Sequence, residues 1–193
     1  MTWLFVVPAY LLGTFPSAVM VARSKGVDIT KVGSGNPGAS NIARQFGTAW
    51  GVVVFVLDAL KGAIPALVGA LLDDRPVTLA MVAAAVLGHM FPATRGFKGG
   101  KGVATMGGAT LVLQPLAFLI LLVLWFVTRK LSGIASIGSL SIALGLPIVT
   151  AVIGAPWWEI VALALIAALV MVRHTSNIKR LLSGSELSAS RSR

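Results

Sequence analysis

The sequence predicts an all-α, polytopic membrane protein of seven transmembrane helices, with its N-terminus outside, its C-terminus cytoplasmic and some spans short. Three observations carry this. Hydrophobic residues make up 56% of the 193-residue chain and charged residues 11%, against roughly 25% charged in a soluble domain. Mean hydropathy is +0.91. The basic residues, which bring the net charge to +10, gather in alternate loops, as they do in the cytoplasmic loops of membrane proteins. In a soluble chain such a charge would suggest nucleic acid. Here topology accounts for it, and no nucleic-acid partner is expected. No stretch is hydrophilic enough for a second domain, so residues 1–182 are read as one membrane-embedded domain. Residues 183–193 are read as a disordered, polar and basic tail.

The elements follow in order from the need for about 20 apolar residues per crossing. The first span is Thr2–Ala22. It lacks the basic flank of a signal peptide, since Arg23 comes after the apolar run. The second is Ala49–Leu72 and the third, a short one, Val77–Phe91. Residues 103–127 are apolar but interrupted at Gln114-Pro115, so length alone allows one span or two. Ile134–Ile153 and Trp157–Val172 complete the set. Charge placement divides the long stretch at Pro115, whose ring removes a helix hydrogen bond. With seven spans every Lys and Arg except Lys61 and Arg75 falls in an inner segment. With six, Arg129, Lys130 and the C-terminal basic residues would lie outside, against the positive-inside bias. The division leaves two helices of about 20 Å each at 1.5 Å per residue, which must tilt or be partly re-entrant. Gly62, Ala66, Gly69 and Ala83–Ala85 allow these helices to pack closely.

Within the second span, Asp58 and Lys61 are spaced i, i+3 and pair on one helix face. Such residues at membrane depth face the bundle interior. They serve either as a structural ion pair or as support beneath an active site. With no cysteine, two histidines and six carboxylates, the chain offers little material for a metal site, and no metal or cofactor is expected.

Three loop segments carry the chemistry. The first reads Gly33-Ser34-Gly35-Asn36-Pro37-Gly38-Ala39-Ser40-Asn41, with Arg44 about two turns on. Asn36 reads as an N-cap and Pro37 as the first helical residue. A glycine-rich turn running into a helix start aims backbone N–H groups at an anion. The second runs from Gly88-His89-Met90-Phe91-Pro92 to Gly96-Phe97-Lys98-Gly99-Gly100-Lys101-Gly102-Val103-Ala104-Thr105. Glycines around Lys101 before a helix suit a phosphate. The spacing is not that of a nucleotide-binding P-loop, because Arg95 and Gly102 stand where glycine and Ser/Thr are needed. A lone histidine such as His89 before Phe-Pro reads most simply as a loop anchor. The third segment is Arg173-His174-Thr175-Ser176-Asn177-Ile178-Lys179-Arg180-Leu181. His174 and Asn177 share a face if the helix continues; a plain basic anchor beside the membrane is the other reading. Ser132, Ser136, Ser139 and Ser141 open the sixth span, where most such hydroxyls bond their own backbone.

In their order and spacing these three motifs resemble the PlsY family of bacterial membrane acyltransferases. The resemblance runs from the first span to Leu182, and Asp58-x-x-Lys61-Gly62 fits it. Ser40 stands where threonine is usual and keeps the hydroxyl. The resemblance implies transfer of a long-chain acyl group from acyl phosphate to the sn-1 hydroxyl of glycerol 3-phosphate, giving lysophosphatidic acid and inorganic phosphate. It implies a seven-span fold in the bacterial cytoplasmic (inner) membrane, an active site facing the cytoplasm, contact with membrane lipid, and the enzyme that makes acyl phosphate as a partner. It also implies roles. Ser34, Asn36 and the amides of Gly35 and Gly38 would hold the acyl phosphate, with Asn41 and Arg44 nearby. Lys101, the amides of Gly99, Gly100 and Gly102, and Thr105 would hold a phosphate. His174 and Asn177 would position the attacking hydroxyl, and Ser139 is the serine that the family's pattern selects. The rival reading from another class is a small-anion transporter, which would also use glycine-rich breaks and helix ends. Its sites lie near the midplane and its halves commonly repeat. Here the glycine loops sit at one edge and no repeat is visible.

Overall fold

The computed structural model describes residues 1–188. Every regular element among them is helical. The chain divides into two compact units, Met1–Leu113 and Gln114–Arg193.

The first unit opens with a short 3-10 turn and then α1, Val6–Gly13, and α2, Ser17–Ser24. Together they form one apolar stretch, Thr2–Ser24, broken at Pro16. The proline has no N–H to continue the ladder. α3, Ala39–Phe46, is short and amphipathic. α4, Thr48–Leu71, and α5, Arg75–Met90, are full-length spans. α5 begins two residues before the apolar run because the Asp74 side chain caps it, accepting the Val77 N–H at 3.2 Å. α6, Val103–Leu113, has 11 residues, about 16 Å of helix, and cannot cross a hydrocarbon core of about 30 Å alone.

Small residues fix the packing here. α1 lies on α5, and α4 lies between α5 and α6. A Cβ on Gly13 would overlap the carbonyl oxygen of Ala85, one on Gly62 that of Thr105, and one on Gly108 that of Ala59. The backbones touch at these crossings, as small residues permit in lipid, where van der Waals contact drives association. α5 is the most enclosed span, with 67% of its apolar window buried.

In the second unit, α7, Pro115–Ser132, packs on α8, Ala135–Val152, which packs on α9, Trp157–Arg173. α10, Thr175–Leu182, leaves α9 at a bend of 56° at His174. Gly133, at φ +68°, closes α7 in the left-handed conformation that glycine adopts without penalty. α7 is apolar, yet only 11% of its window is buried, the exposure expected of a helix that meets lipid.

Among the described residues, five helical stretches are long and apolar enough to cross a membrane, and a sixth if α9 and α10 form one bent span. The chain is thus an all-helical membrane protein. The expected break falls at Gln114-Pro115. The two helices it separates are not the equal short pair expected. α6 is shorter, and α7 runs to Ser132 because helix propensity continues through Thr128-Arg129-Lys130-Leu131 beyond the apolar run. The tail expected to be disordered begins at Ser183. Ser183–Ser188 are described, and Glu186 makes three side-chain contacts set out below. Residues 189–193 lie outside the described residues.

Candidate active site

In the first unit, the loop before α3 is tied to the helix it enters. Asn41 is buried, and its side-chain oxygen accepts the Ser34 N–H at 3.2 Å. Its amide nitrogen donates to the Val32 carbonyl at 3.0 Å and to that of Ile29 at 3.4 Å. Asn41 is therefore the clasp of the loop and not a group free for substrate. Gly33, at φ +59°, passes so close that any Cβ would overlap this Asn41 oxygen. The Ser34 hydroxyl accepts from Arg44 Nη2 at 3.4 Å and from the Asn36 N–H at 3.4 Å. Ser34 and Arg44, predicted as one site, do come together.

The two amides expected in the backbone cradle are engaged within the loop. The Gly35 N–H donates to Val32 at 3.0 Å and the Gly38 N–H to Asn36 at 3.0 Å, both within turns. The cap moves too: Gly38, in extended conformation, is the N-cap, and the helix begins at Ala39, two residues later than Pro37 predicts. Ahead of the loop, Asp28 accepts from the Thr30 hydroxyl at 2.7 Å and its N–H at 3.1 Å. These bonds, with the Thr30 hydroxyl first, hold its carboxyl below the ordinary value.

The second glycine loop is likewise occupied. The Gly99 N–H donates to the Met90 carbonyl at 3.1 Å and the Gly100 N–H to that of His89 at 3.0 Å. The last carbonyls of a helix lack internal partners, and these two glycines supply them for α5. Two of the three amides expected in the phosphate cradle are thus engaged with the end of α5. They are glycines because a Cβ on Gly99 would overlap the His89 carbonyl, and one on Gly100 the His89 ring nitrogen Nε2. Lys101 follows, half-buried, at the entrance to α6, with Gly102 at φ +83°. Thr105 is wholly buried where its carbonyl meets Gly62 of α4, and its hydroxyl has no hydrogen-bond partner among the described residues.

Beneath this loop lies a buried polar network. Lys61 Nζ donates to Asp58 Oδ1 at 2.6 Å, the expected i, i+3 pair, with both side chains 3% exposed. It also meets Ser17 Oγ at 3.3 Å and His89 Nδ1 at 3.4 Å. Ser17 in turn donates to Asp58 Oδ1. The sequence reading missed Ser17 and left His89 as a lone anchor. The signal for Ser17 was its place at the proline break of the first span. A narrow cleft above the network is lined by Ser17, Lys61 and His89 below and by Pro37, Arg95 and Gly100 from the two loops. Its volume of about 10 Å³ holds a single water.

In the second unit, the His174 ring is buried at the α9–α10 bend, with Nδ1 2.7 Å from the Val170 carbonyl. A carbonyl only accepts, so Nδ1 carries a proton, and Nε2 is the ring nitrogen that can accept when the ring is neutral. Asn177 Nδ2 donates to Glu186 Oε1 at 2.7 Å. The same oxygen accepts from Ser136 at 3.1 Å, and Glu186 Oε2 pairs with Arg180 Nε at 2.8 Å. Ser136, Arg180 and Glu186 were not foreseen; an acidic residue six positions after Arg180 was the available signal. The Ser139 hydroxyl donates to the Ala135 carbonyl at 3.1 Å, and its oxygen retains accepting capacity.

Comparison with known proteins agrees with this architecture. The family model described as glycerol-3-phosphate acyltransferase matches residues 3–184. A glycerol-3-phosphate acyltransferase of Solidesulfovibrio magneticus is 44% identical over 95% of this chain and 93% of its own. One of Thioalkalivibrio sulfidiphilus is 42% identical over 94% and 90%. A crystal structure of PlsY, an integral membrane glycerol 3-phosphate acyltransferase, in its glycerol 3-phosphate form, superposes with a TM-score of 0.94 at 39% identity, covering 97% of this chain and 94% of that one. Its lysophosphatidic acid form gives 0.91 at 38% identity, with the same coverage.

Proposed function

Since this chain belongs to the glycerol-3-phosphate acyltransferase family, we propose that it acylates the sn-1 hydroxyl of glycerol 3-phosphate with a long-chain acyl phosphate as donor. The hydroxyl oxygen attacks the acyl carbonyl carbon, the bond from that carbon to the phosphate oxygen breaks, and inorganic phosphate leaves with the electron pair. The donor is already activated, so no covalent enzyme intermediate is needed. The products are lysophosphatidic acid and phosphate.

The observation that carries the reading is the Ser34–Arg44 contact on a loop clasped by Asn41. It offers a hydroxyl and a guanidinium, the group best matched to a phosphate. Because the Gly35 and Gly38 amides are engaged within the loop, the binding there is assigned to side chains. Lys101 serves one of the two substrate phosphates as a point charge. His174 Nε2 is assigned to the proton of the attacking hydroxyl, and Asn177 and Ser139 to its orientation. We read α6 as the short fourth of seven spans, the N-terminus as outside, and the motif loops as facing the cytoplasm in the inner membrane. The enzyme that makes acyl phosphate then acts on the same side. The test is phosphate release by the purified chain in lipid, supplied with palmitoyl phosphate, with and without glycerol 3-phosphate. Release that depends on glycerol 3-phosphate and yields lysophosphatidic acid is expected. No release, even with acyl-CoA as donor, would return the reading to a small-anion transporter.

A further inference from the structure

We propose that His89 is a positioning residue for the reaction: anchored by Lys61, it sets the glycine loop that places Lys101. This rests on reading Lys101 as the cation for a substrate phosphate.

The argument begins with donor accounting. An ammonium has three N–H groups and no acceptor. Lys61 finds Asp58 Oδ1, Ser17 Oγ and His89 Nδ1 at 2.6, 3.3 and 3.4 Å, so each N–H has one acceptor. Ser17 can accept from Lys61 because it spends its own proton on Asp58. The arrangement admits one direction at each bond. His89 Nδ1 must accept, which places the ring proton on Nε2. Nε2 lies directly beneath Gly100, where a Cβ would overlap it. The same residue's carbonyl accepts the Gly100 N–H.

His89 therefore holds Gly100 twice, once through its backbone and once through ring contact, while Lys61 locks the ring. Lys101 is the next residue. The network reaches Lys101 through the loop, by way of the His89 ring and carbonyl against Gly100. Losing the anchor misplaces the Lys101 ammonium. A displaced binding cation raises KM for the substrate it holds, with less effect on kcat.

The experiment measures KM for each substrate, and kcat, in Lys101→Ala, His89→Leu, His89→Asn and Gly100→Ala. The asparagine oxygen can replace Nδ1 as the acceptor for Lys61, whereas leucine cannot. His89→Leu and Gly100→Ala are expected to raise, by about tenfold, the KM that Lys101→Ala raises. His89→Asn should recover most of that loss. A folded His89→Leu protein with both KM values unchanged overturns the proposal. So does a fall in kcat alone, or a His89→Asn no better than His89→Leu. Should His89→Leu not fold, Gly100→Ala decides, because it removes no polar side chain and presses on the His89 ring directly; wild-type KM there is equally fatal. Amide exchange at Gly99 and Gly100, faster in His89→Leu than in wild type, reads the loop without turnover, and equal protection sinks the idea. A wild-type chain that releases no phosphate instead refutes the acyl-transfer reading, which keeps the two failures apart.

Discussion

In the proposed reaction two side chains divide the chemistry between proton and charge. His174 presents Nε2 because Nδ1 is bound to the Val170 carbonyl. Glutamine can fill the space but cannot take a proton. His174→Gln should lower kcat about 100-fold, the low end for general acid–base catalysis, in steady-state assays. Turnover near wild type would mean that the departing phosphate takes the proton. Lys101→Ala should raise KM for a phosphate-bearing substrate about tenfold with kcat changed less, since a charge used in both ground and transition states acts on binding. Much at this scale escaped sequence reading. Gly35, Gly38, Gly99 and Gly100 looked like amide cradles because glycine-rich turns before helices commonly are. What spacing cannot express is that the end of α5 has its own carbonyls to satisfy and that the nearest loop must supply the donors.

Among the elements, the α4–α6 seam is the most sensitive. Gly62→Ala puts a methyl into the Thr105 carbonyl, and overpacking of this kind costs about 1–3 kcal/mol. A lower melting temperature in detergent is expected, with the residual folded fraction retaining its KM values. At the end of the second unit, Glu186 is 5% exposed and joins α8, α10 and the segment after them through Ser136, Asn177 and Arg180. Glu186→Ala strands those donors, a loss of about 1–3 kcal/mol, measurable as a fall in melting temperature larger than that of Ser183→Ala. The helices themselves were readable from apolar length, and the Asp58–Lys61 pair from its spacing, because both are local properties of one helix. Glu186 was hidden in a Ser-rich tail whose composition reads as disorder. Of the three partners named, Ser136 is distant in the chain, while Asn177 and Arg180 lie nine and six residues before Glu186.

For the whole molecule, topology is the open prediction. The chain has no cysteine, so single cysteines introduced at Trp157, Phe97 and Ser183, all exposed, report sidedness directly. An impermeant maleimide should label Trp157→Cys in intact cells, and Phe97→Cys and Ser183→Cys only after permeabilisation. Labelling in the opposite sense would place the motif loops outside. The division at Gln114-Pro115 carries a consequence for synthesis. The partners described for α1 to α6, including the Asp58–Lys61–Ser17–His89 network and the loops above it, all lie within the first 113 residues. A ribosome working at about 5–20 residues per second delivers them some seconds before the rest of the chain is complete. The buried charges can therefore be neutralised inside the nascent unit before α8 and α9 are inserted, and a pause at the proline would lengthen that interval.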